Sequence, residues 1–281
     1  MKMSEVNISP LVSIIMPTYN REAWIGRAIQ SIINQNYQNW ELIIVDNESS
    51  DNTSEVVNCF IHKDERIKYY NVRKSSLPGI SEYLNYGMSI ARGELIARLD
   101  DDDEWFEPNK LFQQVDFLNK NKDYLLVGGG AIMVDENRKE IYKWLKRETD
   151  FRIRKNALYA NPFSHNTVLF RKKQVIDIGG YRAIRFVEDW DLWLRLGGYG
   201  KFYNFPRFFS LYMNAGQNLS VNNQTLAAKT ILKLIKEYRN IYPNYRKAFL
   251  LNFFQYLFSF LPDFIKKRVQ NFLFFIKRNY F

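Results

Sequence analysis

The sequence predicts an α/β fold, an open, twisted and mostly parallel sheet with flanking helices, continued by a helical, basic and aromatic C-terminal tail. Three observations carry the prediction. Over the first 135 residues, short apolar runs alternate with longer stretches of helical spacing. Polar and acidic residues gather just after three of those runs, at the edge where ligands bind in such sheets. Residues 231–281 hold ten Lys or Arg against two acids, which is eight of the +10 formal charge, and 15 of the 46 aromatic residues.

The apolar runs at 11–16, 41–46, 67–71, 94–99 and 124–127 are continuous rather than alternating, so they read as strands covered on both faces. Between them, 21–34, 51–61, 80–91 and 109–119 repeat apolar residues every three or four positions and read as helices. Asp51 or Ser50 suits the cap of the second helix, and Pro108 suits the first turn of the fourth. From 140 to 215 the pattern is irregular, with a strand expected at 166–170, a turn at Gly179-Gly180 and a helix at 188–196. Beyond 217 the chain reads as helical, divided by Pro243 and Pro262. A boundary is expected near 220, with a main domain at 1–220, halved at about 105, and the tail at 221–281.

A single cysteine, Cys59, excludes an intrachain disulfide and fits a reducing compartment. Residues 1–10 carry no apolar signal-peptide core, so a cytosolic location is expected. The longest uncharged run in the tail, 248–262, has 15 residues, fewer than the roughly 20 a membrane-crossing helix needs. Neither GxGxxG nor GxxxxGK[ST] occurs, and no internal period is visible.

The strand ends select the candidate chemistry. They hold Pro17-Thr18-Tyr19-Asn20-Arg21, then Asp46-Asn47, then Asp100-Asp101-Asp102-Asp103. Four adjacent carboxylates repel one another, and a hard divalent cation such as Mg²⁺ or Mn²⁺ relieves that cost while binding phosphate oxygens. The plainer alternative is a solvated acidic turn. Farther on, Glu188-Asp189-Trp190-Asp191 opens a helix on which Glu188 and Asp191 share a face. A carboxylate held beside apolar rings suits a general base, and an acid cluster favoured by the helix dipole is the alternative. His165 is one of two histidines and reads more readily as structural than catalytic; with one Cys, a zinc site is not expected.

The motifs Val12-Ser13-Ile14-Ile15-Met16-Pro17-Thr18-Tyr19-Asn20, Ile44-Val45-Asp46-Asn47-Glu48-Ser49-Ser50-Asp51 and Arg92-Gly93-Glu94-Leu95-Ile96-Ala97-Arg98-Leu99-Asp100-Asp101-Asp102-Asp103 resemble those of family 2 glycosyltransferases. The likeness continues through Gly179-Gly180-Tyr181 and Glu188-Asp189, in order from about 11 to 215. It implies the Rossmann-like GT-A fold, with a nucleotide-sugar half at about 1–105 and an acceptor half at about 106–220. The family's DxD motif falls on Asp100 and Asp102, implying that Asp102, with Asp100, holds a divalent metal. Pro17, Thr18, Tyr19, Asn20, Arg21, Asp46, Asn47, Asn85, Arg98 and Asp101 would line the nucleotide-sugar site. The family's Glu-Asp pair maps onto Glu188 and Asp189, which implies Asp189 as the base, inversion at the anomeric carbon, and Glu188, Asp191 and His165 near the acceptor or behind the base. The implied donor is a UDP-sugar, and the implied acceptor is a saccharide, such as a polyprenyl-diphosphate-linked one.

The chain departs from that pattern in two places. Asn47 stands where many relatives have a second Asp, and Leu84 where others have an Arg, for which Arg98, Lys74 or Arg73 can substitute. Gln-x-x-Arg-Trp is absent, which favours transfer of a single sugar. A prenyl-diphosphate enzyme would need a mostly helical chain. A nucleic-acid-binding role fits the tail poorly, because its charges lie between Phe/Leu runs, and a catalytically silent relative is the third alternative. Phe249, Phe253, Phe254, Leu257, Phe260 and Leu261, then Phe264, Ile265, Phe272, Phe275 and Ile276, are expected to share helical sides flanked by Lys266, Lys267, Arg268, Lys277 and Arg278. That pattern suits peripheral attachment to the cytoplasmic membrane surface. The alternative is packing on the main domain or pairing two subunits as a homodimer.

Overall fold

In the computed structural model, residues 9–73, 79–213, 223–262 and 266 are described. Lys74, Phe264, Ile265, Lys267, Arg268, Phe272, Phe275, Ile276, Lys277 and Arg278, with the expected boundary near 220, lie outside them. The first half is a run of strand–helix units: β1 (Val12–Thr18), α1 (Ile25–Ile33), β2 (Trp40–Asp46), α2 (Thr53–Ile61), β3 (Ile67–Asn71), α3 (Ile80–Ile90) and β4 (Leu95–Arg98). These four strands pair in parallel as β3-β2-β1-β4, the direction that right-handed helical crossovers produce. Every residue of β2 is buried, as its unbroken apolar run requires of a strand covered on both faces.

The second half adds β5 (Glu104–Trp105), α4 (Lys110–Lys120), β6 (Tyr124–Val134), β7 (Glu140–Trp144), α5 (Asp150–Asn156), β8 (Leu169–Arg171), α6 (Lys172–Asp177), α7 (Glu188–Leu196) and β9 (Lys201–Met213). The sheet continues β4-β8-β6-β9-β5, with β8 antiparallel to both β4 and β6 and β9 parallel to β6. The parallel order is thus continuous across the first half and mixed in the second. Gly129 lets β6 and β9 approach closely, since a methyl group there would sit 2.4 Å from the Phe209 ring.

Local outcomes refine the expected elements. Helix α1 begins at Ile25, not 21, because the Arg21 and Glu22 N–H groups donate to Thr53 Oγ1 and Asp51 Oδ2 instead. The cap residue of α2 is Asn52 rather than Asp51 or Ser50; Asp51, one position ahead of it, accepts the Thr53 N–H at 3.0 Å. Pro108 precedes the cap residue Asn109, so it lies before the first turn of α4. The strand expected at 166–170 starts later, after a 3-10 turn at His165–Thr167.

The tail forms α8 (Gln224–Glu237) and α9 (Tyr245–Phe258). Leu234, Ile235, Tyr238, Tyr242 and Ala248 bury against Ala157, Leu158, Val187, Trp190 and Leu194, so the packing alternative holds for this inner face. Phe249 joins it, whereas Leu250, Phe253, Phe254, Leu257, Phe260 and Leu261 are exposed. No described helix is long and apolar enough to cross a membrane.

Candidate active site

The parallel strands end together, because Thr18 of β1 lies in register with Asp46 of β2. Asp46 is fully buried; its Oδ1 accepts the Ser49 N–H and hydroxyl at 2.8 Å each, and its Oδ2 accepts the Tyr69 hydroxyl. Asn47 accepts the Tyr83 hydroxyl, and Asn20 Oδ1 accepts the Ser50 N–H at 2.8 Å. Asn20 and Glu48 both hold positive φ, 51° and 53°, so two strained residues flank one edge of the sheet. Pro17 pairs with Val45, and the Tyr19 side chain stands exposed.

The four aspartates after β4 do not behave alike. Asp100 pairs with Arg98 at 2.6 Å, and Asp101 with Arg21 at 3.3 Å. Asp102 lies 4.0 Å from Arg21. Asp103 turns inward, accepting the Met213 N–H at 2.9 Å and the Asn166 amide, and so ties this loop to the end of β9. Burial, then Asp102, pushes Asp101 up to about 7; burial, then Asp100, pushes Asp102 up to about 6. Burial opposes the Arg98 charge, but Asp100 outweighs it and holds the guanidinium protonated.

Helix α7 brings the second acidic group. Burial, then Asp189, lifts Glu188 to about 7, and burial lifts Asp189 as well. Asp189 Oδ2 accepts from Asn161 Nδ2 at 2.6 Å, and Oδ1 accepts the Trp190 N–H at 2.7 Å. His165 Nδ1 stands 3.9 Å from Asp189, while its Nε2 meets the Tyr181 hydroxyl at 2.8 Å. Burial, then Arg98, keeps the His165 ring well below its usual range, hence neutral. Arg98 is the link between the groups: its charge acts on Asp100 and Asp102 on one side and on Glu188 and Asp189 on the other. Among the described residues, buried Arg98 Nε and Glu188 Oε2 find no hydrogen-bond partner, the mark of groups left for a ligand.

Arg98 thus acts on Asp100, Asp102, Glu188, Asp189 and His165, Arg21 reaches Asp101 and Asp102, and two other expected residues have different tasks. Asn85 spends both ends of its amide on the Tyr181 backbone, at 2.8 and 2.9 Å, bracing the turn in which Gly180 takes φ 64°. Asp191 is fully buried and faces away toward the tail, held by Arg182, Arg195 and the Tyr238 hydroxyl. Sequence reasoning missed Asn161, which stands beside Pro162 in an irregular stretch, and Asn166, which was expected to open a strand.

The donor set fits a hard cation only in part. Among the described residues no three His, Cys, Asp or Glu side chains converge to hold a metal unaided. The carboxylates of Asp100 and Asp102, the second made costlier to charge by burial and by the first, suit Mg²⁺ or Mn²⁺ completed by phosphate oxygens and water.

The model of the family described as Glycosyl transferase family 2 matches residues 13–193, a span that contains the strand-end residues, Arg98, the aspartate loop and the Glu188-Asp189 pair. The chain is 36% identical over 194 residues to the provisionally named glycosyltransferase EpsE of Bacillus subtilis, covering 68% of each. It is 30% identical over 197 residues to the GalNAc(5)-diNAcBac-PP-undecaprenol beta-1,3-glucosyltransferase of Campylobacter jejuni, covering 69% of this chain and 62% of that one. S. aureus TarS 1-349 in complex with UDP-GlcNAc superposes with a TM-score of 0.64 at 17% identity, over 89% of this chain and 73% of that one. The mannosyltransferase PcManGT of Pyrobaculum calidifontis, in complex with GDP-Man and Mn²⁺, superposes with a TM-score of 0.63 at 20% identity, over 90% and 71%. A parallel sheet whose strand ends carry the aspartate loop, and a helix that brings a Glu-Asp pair to it, now have an owner: the chain belongs to glycosyl transferase family 2 and is a glycosyltransferase of the GT-A fold.

Proposed function

We propose that the protein is an inverting, metal-dependent transferase that moves a single sugar from a UDP-sugar to a hydroxyl of a polyprenyl-diphosphate-linked or growing surface saccharide. The observation that carries the reading is the facing of two acidic groups across Arg98. Pro17, Thr18, Tyr19, Asn20, Arg21, Asp46 and Asn47 line the strand ends where base and ribose would lie, and Asp101, Arg21 and Arg98 border the diphosphate. Asp102 with Asp100 would hold Mn²⁺ or Mg²⁺, which supplies charge stabilisation for the departing nucleoside diphosphate. Asp189, ionised but buried, takes the proton of the acceptor hydroxyl, and one base acting opposite the leaving group gives inversion. Glu188 and His165 border the acceptor side. The undecaprenol-linked substrate in the name of the Campylobacter relative supports the acceptor class, and UDP-GlcNAc in the TarS complex supports the base, with GDP-Man in PcManGT as its competitor.

The test is a donor panel of UDP-glucose, UDP-galactose, UDP-GlcNAc and GDP-mannose, read as release of the nucleoside diphosphate. A UDP-sugar is expected to turn over with Mn²⁺, and Asp102→Asn to lower the rate at least ~10³-fold. Undiminished turnover in EDTA or in the variant overturns the metal assignment; release from GDP-mannose alone overturns the uracil assignment.

We place the chemistry in a catalytic domain of about 1–220, and the outer face of α9 on the inner face of the cell membrane. Phe254 and Leu257 project from that face, with Arg246 and Lys247 one turn behind Leu250 on the same side. Because α8 is part of the core, truncating the tail would unfold α7's support, so point substitutions are the cleaner probe. Wild-type chain is expected to sediment with phosphatidylglycerol vesicles at low salt, and Phe254→Glu with Leu257→Glu to stay in solution. Wild-type protein remaining in the supernatant overturns the membrane assignment.

A further inference from the structure

Asp189 is largely enclosed, its side chain 13% exposed, and burial works against its charge. Its only side-chain hydrogen bond among the described residues comes from Asn161, 28 positions earlier in the chain. That amide cannot turn over to present its oxygen, because Asn161 Oδ1 already accepts the Phe163 N–H at 3.2 Å. Phe163 is itself locked in the core against Trp193 of α7, ring centroids 5.9 Å apart. The loop backbone is pinned from three directions. Lys146 Nζ donates to the Asn161 carbonyl at 2.9 Å, Asn204 of β9 to that of Pro162 at 3.2 Å, and Asn252 of α9 to those of Leu158 and Tyr159 at 3.4 Å.

We propose that Asn161 is a positioning residue for the transfer step, its Nδ2 holding the Asp189 carboxylate in one orientation and in its ionised form. The inference rests on Asp189 being the base. A neutral donor is well matched to that role, because it fixes a carboxylate without neutralising it, whereas a guanidinium in the same place would remove much of its appetite for a proton. His165 does not duplicate the contact, since 3.9 Å is too long for a hydrogen bond. The other titratable groups facing Asp189 are Glu188 on its own helix, Arg98 of β4, Lys146, His165 and Tyr181. Changing Asn161 leaves all five in place.

The experiment compares full-length wild type with Asn161→Ala, Asn252→Ala and Asp189→Asn. Hydrolysis of UDP-glucose, UDP-galactose and UDP-GlcNAc with Mn²⁺ is followed against pH. Asn161→Ala is expected to lower kcat about 10- to 100-fold with the donor KM nearly unchanged. The acid limb of its profile is expected to move up by about one pH unit, because Asp189 loses a bond that favours its charged form. Asn252→Ala, which touches only the loop backbone, is expected to lower the melting temperature and leave the limb in place. A shifted limb in Asn252→Ala, or an unshifted one in Asn161→Ala, overturns the proposal. Turnover retained in Asp189→Asn instead overturns the base assignment beneath it. A substrate-free reading is the melting-temperature gap between wild type and Asn161→Ala at about pH 8 and about pH 5. The gap is expected to narrow toward the lower pH, because burial raises the proton affinity of Asp189 and the lost bond is charge-assisted only while the carboxylate is ionised. An equal gap at both overturns the proposal.

Discussion

Two carboxylates on one helix, Asp189 and Asp191, meet opposite fates. Asp189 accepts hydrogen bonds from one neutral amide and one backbone N–H, and burial raises its proton affinity. Asp191 is buried too, but Arg182 and Arg195 grip it at 2.5 to 3.0 Å and the Tyr238 hydroxyl donates at 2.9 Å, so despite burial its pKa is lowered. Two residues of separation turn the side chains to different sides of α7. One side meets the aspartate loop, and the other meets the tail. Burial alone therefore does not make a base. The charge of the donors decides whether a buried carboxylate keeps a use for a proton.

The sharpest way to break this contrast is to neutralise each acid in turn. Asp189→Asn is expected to cut kcat by about 10³-fold or more with donor affinity preserved, because a base acts only in the transition state. Asp191→Asn is expected to keep turnover within about tenfold but to lose about 3 kcal/mol of stability, since two guanidiniums are left facing a neutral amide. An inactive Asp191 variant beside an active Asp189 variant would reverse the two roles. A smaller effect comes from Glu188, whose folded pKa of about 7 lies above the ordinary carboxylate value. Its charge costs stability progressively as pH rises from about 4.5 through about 7, and nothing below that window. Glu188→Gln is thus expected to raise the melting temperature by about 2–4 °C at pH 8 and to leave it unchanged near pH 4. Equal shifts at both pH values would show that Glu188 carries no such cost.

What could be read in advance follows the range of the forces involved. Strands β1, β2 and β4 were legible because a strand buried on both faces must be apolar throughout, a local property, whereas β3 lies at the sheet edge and, against expectation, buries only Ile67. Strand β9 was not: it contains Lys201, Pro206 and Arg207, and its pairing with β6 is decided by the partner. Within four identical aspartates no local rule singles out Asp103, whose inward turn depends on Met213, 110 positions away. Helical spacing grouped Glu188 with Asp191, yet Arg182 and Tyr238, arriving from other elements, removed Asp191 from the site. The apolar pattern of the tail does specify helices, but it serves two faces: Ala248 and Phe249 fill the core, and Phe253 and Phe254 do not.

The seam at β6 has a consequence for how the molecule comes apart. This strand pairs with β8 and β7 along one edge and with β9 along the other, and its glycine run leaves no room for a side chain between it and Phe209 or Trp144. The two halves of the sheet meet where β4 pairs with β8, and β8 pairs in turn with β6, so backbone hydrogen bonds run across the junction without a break. Amide protons of β6 should exchange with solvent only when the whole sheet opens, while the ends of α9 exchange through local fraying. A chain joined this way is expected to melt as one cooperative unit, in a single transition by calorimetry.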